Sequence, residues 1–73
     1  MADVSNEVKV SILKQELQIH LNTIYQLTIR AKIANDIGDT SMKDNVVKEL
    51  EKQAKYKDAY ESALKELKEI KEA

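Results

Sequence analysis

Residues 36–41 read Asp36-Ile37-Gly38-Asp39-Thr40-Ser41, and this stretch decides how the chain is organised. Gly38 is the sole glycine, and there is no proline. Glycine enters the left-handed backbone region without a Cβ penalty, which suits the position just past a helix C-terminus. Asp39, Thr40 and Ser41 are each good N-cap residues, and Ser41 followed by Asp44 has the form of a capping box with Asp in place of Glu. One helix therefore ends near residue 36 and a second begins near residue 41. Upstream, Asp3 or Ser5 can cap the first helix, with Glu7 in its first turn.

The two arms are nearly equal in length, and each would span roughly 45 Å at 1.5 Å per residue. Equal helices joined by a short loop predict an all-α, two-helix antiparallel hairpin. Helix 1 covers about 5–36, the turn 37–41 and helix 2 about 41–71, within a single domain over 1–73.

The first arm carries a seam at heptad spacing: Val10, Leu13, Leu17, His20, Ile24, Leu27, Ala31 and Ala34, widened by Leu21. A second stripe, Val8, Ile12, Ile19 and Ile33 with Ile29 and Ile37 near it, lies on roughly the other side. A helix in a lone hairpin needs one apolar stripe, so two stripes predict burial on more than one side. The second arm carries Met42, Val46, Val47, Leu50, Ala54, Tyr60, Ala63, Leu64, Leu67 and Ile70. This stripe drifts around the helix and is interrupted at Gln53 and Lys57. The opposite face is Lys and Glu, with Glu51–Lys55 and Glu61–Lys65 placed for i,i+4 pairing.

Period-two alternation competes with this reading. Residues 25–33 alternate apolar and polar, as do Val8-Lys9-Val10-Ser11-Ile12. A strand over 19–33 is rejected, because it would be very long and would have nothing in this chain to pair with. Residues 8–12 are compatible with either a helix or a short strand.

Composition excludes several classes. With no Cys there is no disulfide scaffold and no cysteine-ligated metal centre. One glycine rules out a glycine-rich phosphate loop. Apolar residues at 42% with charged residues at 34% are too apolar for disorder. The N-terminus lacks the basic stretch and apolar run of a secretory signal, and nothing is apolar enough to span a membrane, so a cytoplasmic location is expected. Lys and Arg number 12 against 13 Asp and Glu, with neither a basic arm nor an acidic tail.

Short chains without disulfides or metal generally need a partner to bury enough surface. Self-association of two hairpins into a homodimeric four-helix bundle, or a higher homo-oligomer, is the expected solution. The expected oligomer interface is Val10, Leu13, Leu17, His20, Ile24, Leu27, Ala31, Leu50, Tyr60, Leu64 and Leu67. Leu13, Leu17, Ile24, Leu27, Leu50, Leu64 and Leu67 form the expected core. The second stripe, Val8, Ile12, Ile19 and Ile33, is then left as the surface for another protein partner.

No residue pattern points to catalysis. Ser5, Ser11, Ser41 and Ser62 have one histidine between them, so no nucleophile–base pair is visible. His20, with Glu16 at i−4, can be read as half of a metal site or as a pH-responsive contact, but a hydrogen-bonded seam histidine is the expectation. Tyr25, Tyr56 and Tyr60 are expected to bury rings at a helix interface. The expectation is a non-enzymatic interaction, scaffold or regulatory module that acts as a homo-oligomer without cofactor.

Nucleic-acid binding is the alternative. The hairpin-dimer layout resembles that of the plasmid Rop regulators, which implies RNA binding through a helical face. Val8-Lys9-Val10-Ser11-Ile12 resembles the short strand of ribbon–helix–helix DNA binders, which implies that Lys9 and Ser11 face bases. Gly38-Asp39-Thr40-Ser41 followed by Val46, Val47 and Leu50 resembles that family's loop and second helix. The segment between this strand and Gly38 is much longer than the family's first helix. Against both forms, Lys48, Lys52, Lys55, Lys57, Lys65, Lys68 and Lys71 are interleaved with carboxylates, and there is a single Arg.

Overall fold

The computed structural model describes residues 5–72, and side-chain surroundings through residue 67. Two α-helices make up these residues: α1, Asn6–Ile37, and α2, Thr40–Glu72. They pack antiparallel as a hairpin 55 Å long and 19 by 16 Å across.

Each helix end is closed by local hydrogen bonds. Ser5 is the N-cap of α1, and its hydroxyl accepts from the Val8 amide at 3.2 Å. Asp3, the alternative cap, lies outside the described residues. At the other end Gly38 has φ 79°. Its amide donates to the Asn35 carbonyl at 3.2 Å, and the Asp39 amide donates to Ala34 at 2.8 Å. These bonds form a Schellman motif, which satisfies carbonyls that the helix end leaves without partners. The turn is tighter than expected from the sequence, with only Gly38 and Asp39 between the helices. Asp39, not Ser41, caps α2: its Oδ1 accepts from the Met42 amide at 3.0 Å. Ser41 and Asp44 therefore do not form the expected capping box. Ser41 is already inside the helix, because one residue serves as both the end of the Schellman turn and the next cap.

Residues 8–12 are helical, so the short strand of the ribbon–helix–helix comparison is not formed. The alternation over 25–33 is also helical. Leu27 and Ala31 face the seam, whereas Tyr25, Ile29 and Ile33 lie on the exposed side of α1. Two apolar faces on one helix produced an apparent period of two.

The α1 half of the seam follows the heptad expectation. Leu27 and Ala34 are buried, and Val10, Leu13, Leu17, His20, Leu21, Ile24 and Ala31 are half-buried. The α2 half needs correction. Its inward line is Val46, Leu50, Gln53, Lys57, Tyr60, Leu64 and Leu67, at strict four–three spacing. Gln53 and Lys57 are therefore members of the seam, not gaps in it. Met42, Val47 and Ala54 are exposed, and the Ile70 side chain lies outside the described residues. With His20 opposite Gln53, the register brings Leu27 opposite Val46 and Leu13 opposite Tyr60.

Burial is shallow. Among the described residues, Leu27, Ala34 and Val46 are the buried hydrophobic ones, at 7%, 3% and 5% exposure. The other expected core residues, Leu13, Leu17, Ile24, Leu50, Leu64 and Leu67, are only half-buried. A pair of helices covers one side of each stripe, and nothing within the hairpin covers the other. The ion pairs found among the described residues are Lys32–Asp36 at 3.7 Å and Lys57–Glu61 at 3.1 Å, each within one helix. Glu61 thus reaches back to Lys57 instead of forward to Lys65, and Glu51–Lys55 is not formed. Exposed pairs of this kind contribute little to stability.

Candidate functional site

Two features stand out from the seam: a polar layer at its middle and an apolar back on α1. The polar layer is built on His20. Its Nδ1 donates to Gln53 Oε1 at 2.6 Å, and Gln53 Nε2 donates to Glu49 Oε2 at 3.0 Å. The imidazole stacks on Tyr56 at a centroid distance of 5.0 Å and an interplanar angle of 10°. It also lies 5.3 Å from the Tyr60 ring at 31°. The heptad spacing of α1 points His20 at α2, and Gln53 meets it because α2 has no apolar residue at that layer. The His20–Gln53 hydrogen bond joins the two helices across a half-buried seam and fixes the register, since a shift by one turn separates the pair. No group of three or more acidic or histidine side chains is placed to hold a metal ion among the described residues. Glu16, the candidate second ligand, is exposed and has no hydrogen bond to His20 among those found.

The expected oligomer-interface residues come together, but they do so within one chain. Val10, Leu13, Leu17, His20, Ile24, Leu27 and Ala31 line the α1 side of the intramolecular seam, and Leu50, Tyr60, Leu64 and Leu67 line the α2 side. The four residues of the second stripe stay apart from them. Val8, Ile12, Ile19 and Ile33 are 48%, 49%, 56% and 53% exposed, along the side of α1 turned away from α2.

Ile29 and Ile37, near this stripe by spacing, are exposed beside Ile33, and Met42 extends the surface across the turn. Together with Arg30 and Ala34 they line an open groove of about 360 Å³ at the turn end. The stripe was legible from helical spacing alone. Met42 was not, because its proximity to Ile37 depends on the two-residue turn. Of the tyrosines, Tyr60 is half-buried, whereas Tyr25 and Tyr56 are exposed. No helix among the described residues is long and apolar enough to cross a membrane.

Comparison of the chain with protein-family models, curated proteins and solved structures finds no match. The reading of function therefore rests on the surfaces themselves.

Proposed function

We propose that this chain is a non-enzymatic interaction module of the cytoplasm whose first partner is a second copy of itself. The observation that carries the reading is the mismatch between the apolar content of α1 and what the hairpin buries. Among the described residues three hydrophobic side chains are buried, while Val8, Ile12, Ile19, Ile29, Ile33 and Ile37 on α1 alone remain exposed. A helix that is apolar on opposite faces is stable in water when both faces are covered, and α2 covers one. Two hairpins joined in a homodimer give a four-helix assembly that covers the rest, with no cofactor required.

The seam chemistry supports a structural role for His20. It is engaged by Gln53 and two tyrosine rings, which hold the imidazole in the seam between α1 and α2. The charges of α2 support a solvated exterior, because its lysines are interleaved along the sequence with a similar number of carboxylates, which weighs against a basic surface for phosphate.

The test is sedimentation equilibrium across a dilution series, with circular dichroism on the same samples. A dimer mass that falls on dilution, together with loss of helix, is expected. A fully helical monomer at all concentrations sinks the proposal, because the apolar face of α1 then stands uncovered without penalty.

A further inference from the structure

We propose that the second copy docks on the back of α1, antiparallel, about a two-fold axis that runs between the two copies of α1 at the height of residues 20 and 21. The inference rests on the self-association reading above and specifies its surface and register. The outward stripe of α1 continues the four–three spacing of a coiled-coil seam: Val8, Ile12, Gln15 and Ile19 in the first half, Asn22, Gln26, Ile29 and Ile33 in the second. Folding this stripe back on itself about the stated axis sets Val8 against Ile33 of the second copy and Ile12 against Ile29. Gln15 then meets Gln26, which places amide opposite amide, and only Ile19 against Asn22 is mixed. Each contact occurs twice, as a two-fold interface requires.

Charge selects the antiparallel sense. Glu16 and Arg30 flank the same side of the stripe, and both are exposed. Neither belongs to the Lys32–Asp36 or Lys57–Glu61 pair. In the proposed register they are offset across the interface by five residues, about 7 Å of helix rise. Helical side chains lean toward their own N-terminus, and in an antiparallel pair this lean closes that gap. Two Glu16–Arg30 pairs form, one on each side of the axis. In a parallel pair each residue of the stripe faces its own copy at the same height, which holds Glu16 and Arg30 about 21 Å apart along the axis. The antiparallel arrangement also opposes the two helix dipoles.

The outermost apolar residues fit the same scheme. Ile37 and Met42 extend the groove beyond Ile33, at the end where Val8 of the second copy arrives. The resulting order across the assembly is α2, α1, α1, α2, with the two charged helices outside.

The natural absence of cysteine makes the test direct. Ile12→Cys and Ile29→Cys chains are prepared separately, mixed in equal amounts, oxidised, and resolved by mass, with sedimentation equilibrium on the unoxidised mixture. Both sites are about half exposed, so neither change touches the intramolecular seam. The expected result is a dimer mass and a mixed disulfide between position 12 of one chain and position 29 of the other. A dimer that instead links position 12 to position 12 overturns the antiparallel register. A dimer that forms no disulfide overturns the back of α1 as the interface while self-association stands. A monomer overturns both proposals.

Discussion

α1 and α2 have nearly the same length and share one seam, yet their outer faces are opposite in character. Facing away from the hairpin, α1 presents Val8, Ile12, Ile19, Ile29 and Ile33, whereas α2 presents Lys48, Lys52, Lys55, Ser62 and Glu66. The inner faces differ in the same direction, though less sharply: the α1 side of the seam is apolar apart from His20, and the α2 side includes Gln53 and Lys57. A hairpin selected only to satisfy itself has no reason for this asymmetry, since both backs meet the same water. The proposed dimer accounts for the difference, with α1 inside the assembly and α2 on its rim.

The comparison predicts unequal responses to the same kind of change. The largest effect is expected at the shared seam. Leu27→Asp puts an unpaired carboxylate where the wild-type side chain is 7% exposed, and is expected to cost about 4 kcal/mol or more, enough to unfold the hairpin. Circular dichroism should lose most of its helical signal. A Leu27→Asp chain that keeps wild-type helicity would show that the seam is not what holds α1 and α2 together.

Next in size is the pair of outer faces. Ile12→Lys with Ile33→Lys is expected to weaken dimerisation about a hundredfold or more, because each copy gives up two apolar side chains at the interface. The matching charge change on α2, Lys52→Glu with Lys55→Glu, should move the dissociation constant less than about threefold, within the range of exposed charge effects. Equal losses from both helices, read by sedimentation equilibrium, would erase the proposed division between inner and outer helix.

The inner faces give a smaller and more informative contrast. Gln53→Leu makes the α2 side of the seam as apolar as the α1 side, but removes the acceptor held by His20 Nδ1 at 2.6 Å. The expected cost is about 1 kcal/mol by chemical denaturation, since a part-buried donor loses its partner. Adding His20→Leu should recover that loss, because removing both partners of a hydrogen bond is far cheaper than removing one. If the double variant is as destabilised as the single one, the pair contributes through the tyrosine stacking at His20 and not through the hydrogen bond.

The same asymmetry explains what could be read from the sequence. The hairpin was legible because one glycine stands between two long arms without proline, and Gly38 does take the left-handed backbone conformation required. The α1 seam was legible because eight positions at heptad spacing share one face. The α2 seam was legible at Val46, Leu50, Tyr60, Leu64 and Leu67, but with hydrophobicity as the guide Val47 and Ala54 pulled the stripe off axis and Gln53 and Lys57 read as gaps. Gln53 faces inward because His20 supplies a hydrogen bond there. Lys57 is tolerated because its methylene stem can cover the seam while its ammonium pairs with Glu61 at 3.1 Å. Neither compensation is visible until both helices are in register. The second stripe of α1 was legible from spacing, but the contribution of Met42 depended on the turn geometry.

The finest distinction lies along the back of α1, between its apolar residues and the charges beside them. Glu16→Arg sets like charges against each other across the proposed axis, twice per dimer, and leaves every apolar contact intact. Exposed ion pairs are worth about 0.2–1 kcal/mol each, so the expected weakening is roughly two- to thirtyfold in dissociation constant. Combining Glu16→Arg with Arg30→Glu restores the opposite signs with their places exchanged, and should return affinity to within about twofold of wild type. The effect should shrink at high salt, because both groups remain near solvent. Such rescue depends on Glu16 and Arg30 meeting across the axis. If each single change weakens the dimer and the double change weakens it further, the two residues act independently, and the antiparallel register loses the charge argument that selects it.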